Sequence, residues 1–402
     1  MMSFFFSDDV RRDPYHWYEQ LREVSPVLHD PRSDMWMLFD YESVKRAMDD
    51  HETFSSVVHP PTGRAPEWLV FLDPPRHSKL RALVMRTFTP RALAGLEPRI
   101  HALSRELLDL HIDRGEMDLV ADYAGPLPVM VIAEMLGIPL SDRERFMRWS
   151  NAIMNLSYAI AGGAAAALAV REHAPARAEM LEYITALADE RRRAPKDDLL
   201  TRLVEAEVDG ERLSMEEVLG FFQLLLSAAT ETTTNLIDNA VLAFIQHPAQ
   251  LARLRAAPEL LGSAIEEVVR YRSSIQAVFR ETTRDVELHG CIIPAGKFVL
   301  AMVGSANRDH RQFENANAFD IGRSPNPHIA FGHGIHFCLG AALARLEARV
   351  ALTDLFDALD SIELASDEPW EPRRALHVHG PARLPIHFVR RAQELSVAED
   401  VN

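Results

Sequence analysis

From Val218 to Ala243 the chain carries only two formal charges, Glu231 and Asp238. Ser214 and Glu217, just before this stretch, have the spacing of a capping box, and His247-Pro248 stops the pattern after Gln246. A helix apolar on nearly every side is buried on nearly every side. At a rise of about 1.5 Å per residue it is roughly 50 Å long, enough to cross a domain of this size. Any fold for this sequence is built around that helix. It also carries Glu231 and the run Thr232-Thr233-Thr234 indoors, where polar groups need a reason to be.

The rest of the chain is mostly helical in pattern. Apolar stripes predict helices over Pro14–Val24, Tyr41–Asp49, Ser78–Phe88, Ile100–Gly115 and Leu119–Leu136. Strand signals are short: Val27-Leu28, Met35–Phe39, Val286–Leu288, Phe298–Met302 and Leu384–Phe388. The expected class is therefore mainly α with a minor β part. No repeat or low-complexity linker divides the 402 residues, so one domain is expected, with loose ends near 1–10 and 392–402. The uncharged stretch Trp149–Val170 is read as two short helices joined at Gly162-Gly163 rather than a membrane span. A net charge of −16 (43 basic against 59 acidic residues) argues against general affinity for nucleic acid or anionic lipid. With Cys291 and Cys338 alone no disulfide framework is expected, the apolar run Met1–Phe6 is too short to read as a signal peptide, and a reducing cytoplasm fits. No membrane anchor is expected.

Chemistry concentrates at Phe331-Gly332-His333-Gly334-Ile335-His336-Phe337-Cys338-Leu339-Gly340. A lone cysteine is usually a small buried hydrophobe. Here glycines let the backbone take positive φ and approach a flat ligand, and a helix follows over Leu339–Ala351. Loop N–H groups and the helix start can point at the sulfur and favour its thiolate, which makes a good axial ligand for haem iron.

Four other clusters stand out. Ala228-Ala229-Thr230-Glu231-Thr232 puts an acid beside an alcohol; the ordinary reading is hydroxyls bonded to carbonyls one turn back. The functional reading frees the Thr232 hydroxyl by a local break in the helix, with Glu231 relaying protons. Glu267 and Arg270 share one helical face. Asp73-Pro74-Pro75-Arg76-His77-Ser78-Lys79-Leu80-Arg81 starts a helix with His77 and Arg81 on one side. Ala306-Asn307-Arg308-Asp309 is followed by Phe313.

The spacing Phe-x-x-Gly-x-His-x-Cys-x-Gly, the Glu-x-x-Arg pair, the His-x-x-x-Arg pair and the Glu231-Thr232 pair together resemble the cytochrome P450 family of haem-thiolate monooxygenases. The resemblance runs from Asp13-Pro14 to Leu384-Pro385-Ile386, with Ala229 where many relatives have glycine. It implies the P450 fold, with the long helix over a haem b group. It implies Cys338 as iron ligand within a loop that includes Phe331, Gly334 and Gly340, and propionate contacts from His77, Arg81, Arg280 and His336. It implies a structural triad of Glu267, Arg270 and Arg323, and Thr232 with Glu231 as the oxygen-activating pair. The implied pocket walls are Trp68 to Leu72, Leu225, Ala228, Ala229, Ile275, Gln276, Ala277 and Leu376 to His379 (Val378 among them), with Trp149–Val170 as a lid.

Such a pocket suits a hydrophobic small molecule such as a fatty acid, steroid, terpenoid or polyketide. Oxygen comes from O2, and electrons from a separate ferredoxin and ferredoxin reductase, because no flavin or iron–sulfur motif is fused to the chain. The ferredoxin is expected to dock on Arg76, Lys79, Arg86, Arg345 and Arg349, and the protein to be a monomer. Peroxide-driven oxidation or oxidative coupling is the alternative chemistry. A haem-binding protein without catalysis would lack the acid–alcohol pair.

Overall fold

The computed structural model describes residues 7–59, 68–85, 90–157, 163–208, 210–375 and 377–392. The central helix runs Met215–Gln246, opened by the expected capping box: the Ser214 hydroxyl accepts from the Glu217 N–H, and the Glu217 carboxylate accepts from the Ser214 N–H. It packs against the helices Pro126–Met135, Arg143–Ser157, Gly163–Arg193, Leu261–Tyr271 and Ala341–Ala358. From Thr233 to Phe244 every side chain is buried, as its lack of charge requires.

The β part is set to one side. A five-stranded sheet has the order Val27–Asp30, Met35–Leu38, Phe298–Ala301, Val278–Thr282, Phe54–Ser55. Met35–Leu38 and Phe298–Ala301 pair in parallel, and the other neighbours are antiparallel. A three-stranded antiparallel sheet joins Leu359–Leu364, Pro385–Arg390 and Glu116–Asp118. Short strands such as Phe54–Ser55 and Glu116–Asp118 carry too few residues to show alternation, and the sequence does not announce them.

Helix limits differ where glycine or proline interrupts the pattern. The helix expected over Ile100–Gly115 spans Pro90–Asp109, its first half being masked in the sequence by Gly95 and Pro98. It is followed by a 3-10 turn over Ile112–Arg114, which Gly115 closes at φ 71°. The stretch expected as one helix over Leu119–Leu136 is two: a wide π-helical turn Leu119–Ala124 and the helix Pro126–Met135. A Cβ on Gly125 would sit 2.6 Å from the Val120 carbonyl oxygen, so the junction accepts only glycine. In the uncharged stretch, Arg143–Ser157 and Gly163–Arg193 are helices, the second far from short, and residues 158–162 lie outside the described set. No helix among the described residues is long and apolar enough to cross a membrane.

Candidate functional site

The cysteine loop turns on positive φ at Gly332 (79°) and Gly334 (65°). A Cβ on Gly334 would lie 2.9 Å from the Asp49 carboxylate and 3.0 Å from the Met48 carbonyl oxygen. Gly334 is thus demanded by the end of helix Tyr41–Asp49 rather than by a ligand. Gly340 differs: its φ is −87°, and a Cβ there would meet no atom within 4 Å. The Cys338 N–H donates to the Phe331 carbonyl at 2.7 Å, which fixes the loop across the cysteine. The sulfur accepts the Gly340 N–H and feels the Arg81 and Arg345 guanidiniums. Burial still outweighs these and pushes the free thiol up. The helix after the loop begins at Ala341, later than the expected Leu339. Cys338 is exposed as a residue, yet enough protein surrounds its thiol to desolvate it.

Two arginines and two histidines from three segments meet beside the loop. The rings of His77 and His336 lie 4.2 Å apart, and Arg81 and Arg280 are close enough to depress the His336 imidazolium. Burial comes first in each case: His77 is lowered to about 4, His336 to about 3 and Arg280 to about 10. Both His77 ring nitrogens are buried without a hydrogen-bond partner among the described residues. The Arg81 guanidinium donates to the Phe337 carbonyl at 2.6 Å. Against these cations stands Asp73, which accepts from the Ser55 hydroxyl (2.5 Å) and the Ser56 N–H (3.0 Å). Two guanidiniums beside neutral imidazoles, with both His77 ring nitrogens orphaned, suit anionic groups that accept hydrogen bonds. Ser56, whose hydroxyl meets His336 Nε2 at 2.9 Å, and His51 belong to this cluster and escaped the sequence reading. Nothing in a serine pair 280 residues from its partner signals such a contact.

Glu267 and Arg270 are fully buried and paired twice at 2.8 Å. Arg323 approaches the same carboxylate at 3.1 and 3.2 Å and caps the Glu314, Asn315 and Ala318 carbonyls. Arg270 also donates to the Asn307, Ala316 and Ala318 carbonyls, so the three residues hold down the 307–323 segment leading to the loop.

The acid and alcohol on the central helix face differently. Glu231 is 4% exposed, and its carboxyl is pushed up to about 7 by burial, with Arg373 acting in the opposite sense. Thr232 is half-buried, and its hydroxyl donates to the Ala228 carbonyl at 2.6 Å. This is the ordinary reading of the run; the helical break of the functional reading is not present, and Met215–Gln246 is continuous. Ala229 explains the difference, since alanine favours the closed helical turn that glycine weakens.

The pocket residues divide. Trp68, Leu72, Leu225 and Ala229 edge the main core cluster together with Phe331, and Ala228 is exposed on the central helix. Ile275 forms an isolated bridge with Val378. Gln276 and Ala277 face partners in the protein. Gln276 is spent on Tyr18, Tyr15 and the Ser273 carbonyl, and Ala277 packs with Val10, Tyr15 and Tyr18. Val378 lines a cavity of about 20 Å³ with Tyr18, Gln276 and His379, on that same side. Leu376 lies outside the described residues. The basic docking surface is also less open than expected. Arg76 pairs with Glu217, Arg345 with Glu266 and Arg349 with Glu97, while Arg86 lies outside the described residues.

A sulfur on a glycine-turned loop, beside a cation cluster and under a long buried helix, defines a protein built to hold a flat, anionic, metal-bearing group. The family profile described as Cytochrome P450 matches residues 15–373. Cytochrome P450 109 of Bacillus spizizenii is 40% identical, over 95% of this chain and 93% of its own length. Cyclomarin C epoxidase CymV of Salinispora arenicola is 40% identical, over 95% and 98%. The substrate-free structure of CYP109E1 from Bacillus megaterium superposes with a TM-score of 0.88 at 38% identity, covering 95% of this chain and 100% of that one. Its complex with testosterone gives a TM-score of 0.84 at 38% identity, covering 93% and 99%. The chain belongs to the cytochrome P450 family, a family of monooxygenases, and membership implies a haem iron cofactor. The residues present fit that group: an exposed cysteine, an uncrowded Gly340 beside it, and for its carboxylates two arginines with the orphaned His77 ring nitrogens.

Proposed function

We propose that this chain is a haem b monooxygenase that inserts one atom of O2 into a hydrophobic small molecule of about steroid size. The observation that carries the reading is the pairing of Cys338 with the His77, Arg81, Arg280 and His336 cluster. Cys338 would hold the iron through its sulfur, and the two arginines and two histidines would donate to the two propionates. When bound, the haem supplies the oxygen chemistry. One oxygen atom enters a C–H or C=C bond and the other leaves as water, using electrons and protons in equal number.

The chain's own residues manage those protons and the substrate. Glu231, held near neutrality, can release and regain a proton at the pH of the cell. Thr232 presents a hydroxyl one residue away, at the half-open edge of the helix. Trp68, Leu72, Leu225, Ala228 and Ala229 give the cleft an apolar wall that excludes water and orients an apolar substrate. The testosterone complex of CYP109E1 and the epoxidase name of CymV support an alicyclic or alkene-bearing substrate. Electrons would arrive from a ferredoxin and its reductase at the Arg345 face. Because Arg76, Arg345 and Arg349 are already paired, that docking depends only moderately on salt. We read the chain as one catalytic domain, monomeric and cytoplasmic.

The reduced carbonyl complex of the haem-loaded protein tests the ligand. A thiolate-type Soret band is expected, lost in Cys338→His; an imidazole-type band in the native chain overturns the assignment. Thr232→Ala is expected to divert electrons into peroxide. Full coupling in that variant removes the role given to Thr232.

A further inference from the structure

Glu231 does not stand alone on the central helix. Asn235 and Asp238 follow at the spacing that puts all three on one stripe, and all are buried, Asn235 and Asp238 completely. The stripe faces the hairpin 372–381, tied by the Pro372–Pro381 bridge and the Arg373 N–H to the Gly380 carbonyl. Arg373 Nε donates to Asn235 Oδ1 at 2.7 Å. A Cβ on Gly380 would collide with that same Oδ1, so the hairpin presses on the stripe. The other polar atoms here, Glu231 Oε1, Asn235 Nδ2 and both Asp238 carboxyl oxygens, are buried with no partner among the described residues.

Charge marks the direction of the stripe. Arg373 acts on both Glu231 and Asp238, and Asp238 also feels Asp118. Asp118 sits on the strand Glu116–Asp118 at the edge of the three-stranded sheet, where it pairs with Arg383, a side chain 69% exposed. A file of polar groups therefore leads from an exposed ion pair to the acid beside Thr232. Unpartnered donors and acceptors in a row are the groups an ordered water joins, each water binding about three of them.

We propose that the Glu231–Asn235–Asp238 stripe, with Arg373, is the path by which protons reach Glu231 from solvent at the Asp118 edge. Arg373 and Asn235 are positioning residues: they orient the stripe and set when Glu231 releases its proton. Each proton that leaves the Glu231 carboxyl is replaced through Asp238 from bulk water, so the stripe regains its charge after every turnover. The inference rests on the reading of Glu231 as the proton donor.

The test has a readout apart from turnover. The protonated-carboxyl infrared band of Glu231, assigned by its loss in Glu231→Gln, is titrated in the resting protein. Removing the positive charge in Arg373→Gln is expected to move its midpoint up by about one pH unit, with Arg373→Lys restoring it. An unmoved midpoint in Arg373→Gln overturns the role of Arg373. In Asp238→Asn, substrate binding by spin-state titration is expected to hold, while the solvent isotope effect on turnover rises and peroxide leakage grows. An unchanged isotope effect and leakage overturn the path through Asp238. If instead Glu231→Gln itself leaves coupling intact, the donor reading fails, which is a separate result.

Discussion

The guanidinium carbon of Arg345 lies 4.2 Å from the centre of the Phe331 ring. The same guanidinium makes two bonds to Glu266, at 2.6 and 2.8 Å, and Glu266 also meets His328 Nε2 at 3.0 Å. The Phe331 carbonyl in turn receives the Cys338 N–H. One node thus joins the helix Leu261–Tyr271, the helix Ala341–Ala358 and the cysteine loop. The loop's shape is set by an ion pair as well as by its glycines.

Removing the carboxylate from this node has a predictable sign. Arg345 and His328 hold Glu266 down to about 2 despite its burial, so it is deprotonated in the fold at all ordinary pH. Its contribution is complete above the ordinary glutamate range and is lost as pH falls through about 2. Glu266→Gln is expected to cost about 1–3 kcal/mol at neutral pH, discounted because the pair is partly solvated. Urea denaturation at pH 7 and at about pH 3 checks it: the gap between wild type and variant should narrow in acid. Equal stability at pH 7 contradicts the prediction.

The buried triad should respond more sharply. Glu267→Gln leaves Arg270 charged and fully buried, at a cost of about 3–5 kcal/mol. Because the triad anchors the segment before the cysteine loop, the variant should purify with less haem and a lower thermal midpoint. Arg323 is 10% exposed and reaches three carbonyls, so Arg323→Lys should be milder than Glu267→Gln. A variant with full haem content and an unchanged midpoint contradicts the anchoring role.

His77 offers a prediction of opposite signs in the two states. Both its ring nitrogens are buried without a partner among the described residues, which destabilises the haem-free chain. His77→Leu should leave the haem-free protein equally or more stable, yet weaken haem binding by removing a propionate donor. Thermal unfolding without haem, paired with haem transfer to apomyoglobin, separates the two effects. Unaltered haem transfer contradicts the assignment.

Long-period signals were legible in the sequence, and short contacts were not. The central helix, its cap, the cysteine loop and the Glu267–Arg270 pair each rest on spacing within one segment, and the structure places them where the spacing put them. Arg323, 53 residues after Arg270, could be paired with Glu267 only by resemblance. The partners of Gln276, Tyr15 and Tyr18, lie some 260 residues away and could not be read from its neighbours. The Thr232 hydroxyl follows the ordinary reading, bonded one turn back to Ala228, and the broken-helix geometry of the functional reading is not the one this structure holds. Ser56, His51 and Arg373 act across hundreds of residues of sequence, where no local pattern announces a partner.

Glu347, on the helix after the cysteine loop, carries the last prediction. It is fully buried, neither carboxyl oxygen has a hydrogen-bond partner among the described residues, and burial alone pushes it up to about 8. The folded chain therefore holds a proton that the unfolded chain has released across the window from the ordinary glutamate value to about 8. Stability must fall as pH rises through that window and level off above it. Asp238 and Glu231 are shifted in the same direction and add to the slope. Glu347→Gln keeps the shape and removes the proton, so its profile should be flatter, with a relative gain on the order of 2–4 kcal/mol by about pH 9. Denaturant unfolding of both proteins from about pH 5 to 9 decides it. Parallel profiles would mean that Glu347 is charged in the fold and has a cationic neighbour, and the burial argument for this carboxyl would fail.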